Sequence, residues 1–432
     1  MASSVIYMPA GPADVLNRSP RRLRTAIKWE GADTSAPYLL QLMLLVALHA
    51  RWEGAEKLSW LFALPDGMAR EGREHLCLEI RAQAERALSL AGFPSESGVP
   101  PVLFAPESAA LGAYFRFCLP AETQGGFLVM NLGACDADLS LFLRSLEKPV
   151  RACQLPLGIQ HMLLPSLLRQ PDLLTQDFGF VQDEALQKDL DLFTRKLRDF
   201  RTNPEVLRLL RPALDMLIED HFALFGSALL QRRLDRAPAV TGSLVLLHLS
   251  FLMMLAGLQL LQLAVDPEEG DFLPPRMTLC LAGRGSLISE AFPDDLRAAL
   301  WQFLTMFRNP RVSAVPMVFA TDKKLEIPVG LTLLEDLSSG VPEAPAPDPV
   351  LPVRPEELLP EFLLRFRREF PAESELLFPG VFANDYYQPF TPRGLALLQE
   401  SLAAAFTEKL ADRPFDALAA WIAALPEILE RI

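Results

Sequence analysis

The sequence predicts an α/β fold, and three observations carry that prediction. Apolar residues make up 50% of the 432-residue chain and charged residues 22%, a globular balance long enough for two or three domains. From residue 36 to about 335, stretches of helical length alternate with short apolar runs bounded by Pro and Gly. The joins between them are mostly short, as alternating helices and strands in one sheet require.

The elements follow in order. Residues 1–35 form an irregular lead segment rich in Pro, Gly and Arg. From Ala36 to Glu53, APYLLQLMLLVALHARWE has helical residue types, and Gly54 is placed to end the helix. LSWLFALP, residues 58–65, predicts a strand stopped by Pro65-Asp66-Gly67. A helix from about Arg70 to Ala91 closes at Gly92, Val99–Phe104 predicts a strand, and Glu107–Phe117 a helix of small residues. Residues 126–146 predict a hairpin, Arg151–Leu157 extends the meander, and Gly158 leads into a helix. Residues 175–235 are charge-rich with Leu and Phe at three- and four-residue intervals, which predicts a helical insertion. Strands are expected at Arg276–Leu281 and about 313–320. Residues 338–355 contain six prolines and predict an extended linker before a helical C-terminal segment, 356–432, whose last stretch is apolar on one face. The implied domains are a first lobe at 36–120 and a second at 121–337.

The bulk chemistry excludes several functions. A net charge of −13 gives no electrostatic footprint for nucleic acid or anionic lipid. The five cysteines are scattered, none with metal spacing, as expected of buried thiols in a reducing, cytoplasmic compartment. The N-terminus lacks the pattern of a signal peptide. Residues 243–265 are long enough to span a bilayer, but His248, Gln259 and Gln262 give one polar stripe, and a buried core helix is expected instead.

Four turns can carry chemistry. FLVMNLGACDADLS, residues 127–140, places Gly133, Asp136 and Asp138 between two apolar runs. It reads equally as an ordinary hairpin or as a loop facing phosphate and metal. LAGRGS, residues 281–286, puts Gly283 and Gly285 after a strand, where backbone N–H groups can approach a ligand or simply turn the chain. Glu107 opens a helix, and Pro65-Asp66 ends a strand.

In this order the turns resemble the superfamily of actin, heat-shock-chaperone and sugar-kinase ATPases. Asn131 to Ser140 is similar to the family's second phosphate hairpin, D-x-G-G-G-T-T-D-x-S. Glu107 to Tyr114 is similar to its first connecting helix, E-P-x-A-A-A-x-A-Y, one residue shorter. Leu281 to Ser286 matches its adenosine loop, L-x-G-G-x-S, and LEIPVGLTLLE, residues 325–335, resembles its second connecting segment. Lys28–Gly31, Gly283–Ser286 and Lys324–Ile327 also resemble large bacterial proteins of the virulence-factor SrfB type.

The resemblance implies an actin-like ATPase fold with ribonuclease H-like lobes, ATP or ADP between them, and a protein partner or assembly under its control. It implies that Gly133, Asp136, Gly283, Arg284, Gly285 and Ser286 hold the nucleotide. Asp136 and Asp138 would hold Mg²⁺, with Asp138 and Glu107 in catalysis. Departures from the pattern point elsewhere. The first phosphate hairpin, D-x-G-x-x-x-[ST], is not found, which implies either a truncated chain or an incomplete first lobe, and weak or absent ATPase activity. Asn131 stands for an Asp, Ala134 and Cys135 for glycines, and Asp136 for a Thr. Two expectations remain: a nucleotide-responsive actin-like protein, and a degenerate, non-hydrolysing scaffold acting through protein contacts.

Overall fold

The computed structural model describes residues 11–19, 32–66, 68, 70–94, 102–134, 136–143, 149–155, 158–178, 182–200, 202–235, 275–286, 290, 315–320, 325–334, 337–340 and 342. The segment 243–265, Cys135 and the C-terminal segment 356–432 lie outside them, as does most of the Pro-rich linker. Among the described residues no helix is long and apolar enough to cross a membrane.

The elements alternate as predicted. Helices α1 (Pro12–Leu16) and α2 (Ala32–Trp52) precede strand β1 (Trp60–Leu64). Helix α3 (Arg70–Leu90), strand β2 (Val102–Pro106) and helices α4 (Glu107–Cys118) and α5 (Pro120–Thr123) follow. Then come β3 (Gly126–Leu132), β4 (Ala137–Leu143) and β5 (Arg151–Leu155), and the helices α6 (Ile159–Arg169), α7 (Leu173–Phe178), α8 (Glu184–Asp199) and α9 (Leu207–Asp235). Strands β6 (Thr278–Ala282) and β7 (Met317–Phe319) and helix α10 (Glu326–Leu333) complete the described chain.

Two sheets result. β1 and β2 pair in parallel, Trp60 opposite Val102. The larger sheet runs β5-β4-β3-β6-β7. β3–β4–β5 is an antiparallel meander, and β6 and β7 extend it in parallel from the β3 side. Every residue of β4 is buried and all of β3 except Asn131, the pattern of strands covered on both faces. Phe127 and Phe142 stack at 4.6 Å between ring centres, and Arg116 of α4 lies 5.6 Å from the first ring and 5.7 Å from the second. A Cβ at Gly112 would stand 2.4 Å from the Phe142 ring, so glycine is what lets α4 lie on this stack.

The glycine stops act where the sequence places them. Gly54 has φ +86 and Gly92 φ +76. Ala55 N–H donates to Ala50 O and Phe93 N–H to Leu88 O, closing the last carbonyls of α2 and α3. Other boundaries differ. α2 begins four residues before Ala36, and the lead segment holds α1, whose Pro12, Val15 and Leu16 are buried against α8 and α9. A helix of five residues is too short to show a period, which is why composition alone read this stretch as irregular. Ser338, read as the start of the linker, exchanges both backbone hydrogen bonds with Phe104 on β2.

The thiols are not uniformly buried. Cys77 and Cys280 are buried, and burial raises both above the usual thiol value, Cys280 well above it. Cys118, at the end of α4, is exposed and free. Since the thiolate is the nucleophile, iodoacetamide near pH 8 is expected to modify Cys118 in the native chain and to spare Cys77 and Cys280 until denaturant is added. Peptide mass spectrometry reads this directly, and native modification of Cys280 would contradict the packing of β6.

Candidate functional site

β3 and β6 lie side by side and parallel, Asn131 opposite Ala282. From β3 the sheet grows one way through the hairpin, and from β6 the other way to β7. The crevice outside the carboxyl ends of two such strands is where open α/β sheets take ligands. A cavity of about 390 Å³ sits there. It is lined by Asn131, Gly133 and Ala134 of the hairpin, Gly283, Arg284 and Gly285 of the turn after β6, Asp215 and Glu219 of α9, and Glu326 at the start of α10. Its volume is within the range of small-molecule sites.

The glycine and Ser286 backbone donors around this cavity already have acceptors. Gly133 N–H donates to Asp136 O at 2.8 Å, closing the hairpin turn. Gly285 N–H donates to Leu132 O at 2.9 Å. Gly283 N–H donates to Glu326 Oε1 at 3.1 Å, and the Glu326 side chain is buried. Ser286 N–H and Oγ both donate to Gly283 O, at 3.1 and 2.8 Å. A phosphate cradle needs such amides to point outward, unspent.

The charge is acidic. Asp215, Glu219 and Glu326 face one guanidinium, Arg284, which is ion-paired with Glu219. Burial lowers the Arg284 pKa from its usual value and Asp215 opposes that shift, and the guanidinium remains a cation. Gln160 of α6 donates to Asp215 Oδ2 at 2.6 Å and to Arg211 O at 3.0 Å, which ties α9 to α6. The lining therefore repels an anion unless a divalent cation intervenes. Among the described residues no group of three or more His, Cys, Asp or Glu is arranged to hold a metal ion.

The predicted site residues divide into two sets. Gly133, Gly283, Arg284 and Gly285 come together around the cavity although about 150 residues separate the two turns in sequence. Asp136 contributes its carbonyl to the hairpin turn rather than lining the cavity. Asp138 is buried on β4, where it accepts from Asn131 Nδ2 at 3.1 Å across the strand pair. Ser286 is buried behind the turn. Glu107 is the first residue of α4 and is not in the lining. The acid that serves this helix start is Asp66, from the turn after β1. It accepts from Ser108 N at 2.9 Å and from Ser108 Oγ at 2.7 Å.

Asp215, Glu219 and Glu326 were missed by sequence reasoning. The two α9 acids sit one turn apart inside a charge-rich helix that looks solvated by composition. Glu326 had a usable signal, since it opens the segment that resembles a connecting helix and precedes the small residue Gly330.

No protein-family model and no curated protein matches this chain. Among solved structures it is similar to MreB5 of Spiroplasma citri bound to ADP, at 13% identity and a TM-score of 0.30, over 71% of this chain and 75% of that one. It is also similar to MreB 5 of Spiroplasma citri bound to AMPPNP, at 14% identity and 0.26, over 64% and 67%. A third is the PilM–PilN type IV pilus biogenesis complex, at 17% identity and 0.24, over 59% and 57%. At scores this low the likeness assigns no ligand and no partner to this chain.

Proposed function

We propose that this chain is a divergent actin-like protein that does not hydrolyse ATP and acts as a scaffold through contacts with a protein partner. The superfamily reading is supported by the order of its motif-like turns and by two features of the sheet. One is the antiparallel meander continued by two parallel strands, and the other is the convergence of the hairpin and the Gly283 turn on one crevice. The non-hydrolysing part rests on one observation: the amides of Gly133, Gly283 and Gly285 are each spent on the chain's own oxygens. Phosphoryl transfer depends on positioned donors and Mg²⁺, and the residues present do not fit a triphosphate. ADP or ATP binding without hydrolysis is the second reading, favoured by the position and size of the cavity.

The test is thermal unfolding and phosphate release with millimolar Mg-ATP. Neither a shift nor release above buffer is expected. A ligand at a hundred times its Kd stabilises by about 2.7 kcal/mol, so even modest affinity would be seen. Stabilisation without turnover would establish the second reading, and turnover would overturn both. The combined substitutions Glu219→Gln and Glu326→Gln remove two acids from the lining, each worth roughly 1–3 kcal/mol against a phosphate a few ångströms away. A shift that appears only in this variant would identify charge as what excludes the nucleotide.

A further inference from the structure

Helix α2 is apolar on all sides. Its inner face, with Met43 and Ala47 fully buried, packs on α3 and β1. Its outer face exposes Tyr38, Leu42, Leu45, Val46, Leu48 and Trp52, with Leu45 58% and Trp52 87% accessible. Tyr38, Leu42, Leu45, His49 and Trp52 recur at intervals of four, three, four and three, which puts them on one line along the helix. A helix apolar all round is normally covered on all sides, and this one is not long and apolar enough to cross a membrane.

Two observations say what covers it. The described chain ends at Pro342 beside this unit: Ser338 is paired with β2, and Arg81 of α3 donates to Ser339 O. The chain that follows therefore starts next to α3, which packs along α2. Its final stretch, FDALAAWIAALPEILERI, places Phe415, Leu418, Ile422 and Leu425 at intervals of three, four and three before Pro426 interrupts the period. That is the same seam spacing. This stretch carries Asp416, Glu427 and Glu430 against Arg431, while α2 has His49 and Arg51 in its last turn. The 72 intervening residues span up to roughly 240 Å, so reach does not limit the contact.

We propose that residues 415–425 dock on the outer face of α2 within the same chain, pairing the Phe415–Leu425 seam with the Tyr38–Trp52 seam. Attachment to the same chain makes the contact intramolecular, so it needs no high affinity of its own.

Hydroxyl-radical footprinting of the full chain tests this. Leu45 and Leu78 have the same chemistry and similar exposure, 58% and 63%. Leu45 is expected to be oxidised at least threefold more slowly than Leu78 in the native chain. Ile422→Glu is expected to raise oxidation of Leu45 and Trp52 to the rate their exposure dictates and to leave Leu78 unchanged. The reciprocal variant, Leu45→Glu, is expected to raise oxidation of Leu425. Equal rates at Leu45 and Leu78 in the native chain overturn the proposal, as does protection of Leu45 that survives Ile422→Glu. Protection that fades on dilution also overturns it, because it would identify a second copy as the occupant.

Discussion

Gly330→Ala is expected to destabilise the protein by about 3 kcal/mol, the upper part of the range for overpacked sites. A Cβ at Gly330 would lie 1.8 Å from the carbonyl oxygen of Ala110 and 2.6 Å from its carbonyl carbon. Those atoms are helix backbone, so α10 or α4 has to move as a unit. Both helices lie where the two sheets meet. Ile327 packs on the cluster around Phe127 and Phe142 and also on the one that holds Leu61, Ala63 and Ala105. The damage therefore reaches both sheets. The thermal midpoint by circular dichroism reads the effect, with Val329→Ala as the control on the exposed side of the same helix. No side-chain change at Ala110 should rescue Gly330→Ala. Gly112→Ala, whose obstruction is the Phe142 ring, should be partly rescued by trimming that ring. A midpoint within a degree of the parent would show that the two helices do not meet as closely as the structure has them.

Gly330 also shows what was legible in the sequence. A short glycine-bearing segment after the last strand was readable as a connecting helix, because residue type and position are local information. That it presses on Ala110, 220 residues earlier, was not readable, because no local pattern encodes a tertiary crossing. The same division holds at the cavity. The hairpin turn and the Gly283 turn were visible as strand ends with small residues, and the structure brings them together. Whether their amides are open or spent depends on acceptors such as Glu326, which lies 43 residues from Gly283 in sequence. The acids of α9 were hidden for the opposite reason, since a helix rich in charge looks solvated whichever face it turns inward. Boundaries slipped by two to four residues, by four at the start of α2 and by two at the end of β2, which pairs with β1 as far as Pro106.

Gly283→Val is the second large effect expected, again about 3 kcal/mol, and its cause separates two uses of a glycine. The residue has φ +76, a region that β-branched side chains almost never occupy. The space a Cβ would need is held by the chain itself, with Leu132 O and Asn131 Oδ1 both at 2.5 Å. A glycine that admits a ligand should have its missing Cβ facing the cavity, whereas a glycine that closes a sheet should have it facing protein. Gly283 is of the second kind. Its loss should disturb the Gly285–Leu132 and Gly283–Glu326 hydrogen bonds together, loosening the ends of β3 and β6. Hydrogen exchange is expected to speed up at residues 130–133 and 280–285, while the β1–β2 unit keeps its protection. Asn131→Ala removes one of the two obstructions but not the backbone carbonyl, so it should restore little. Gly285→Val, where no positive φ is required and the nearest atoms lie at 2.9 Å, should cost less than Gly283→Val. The reverse order, or a stable Gly283→Val chain with altered ligand binding alone, would mean that the turn is built around a ligand rather than around the sheet.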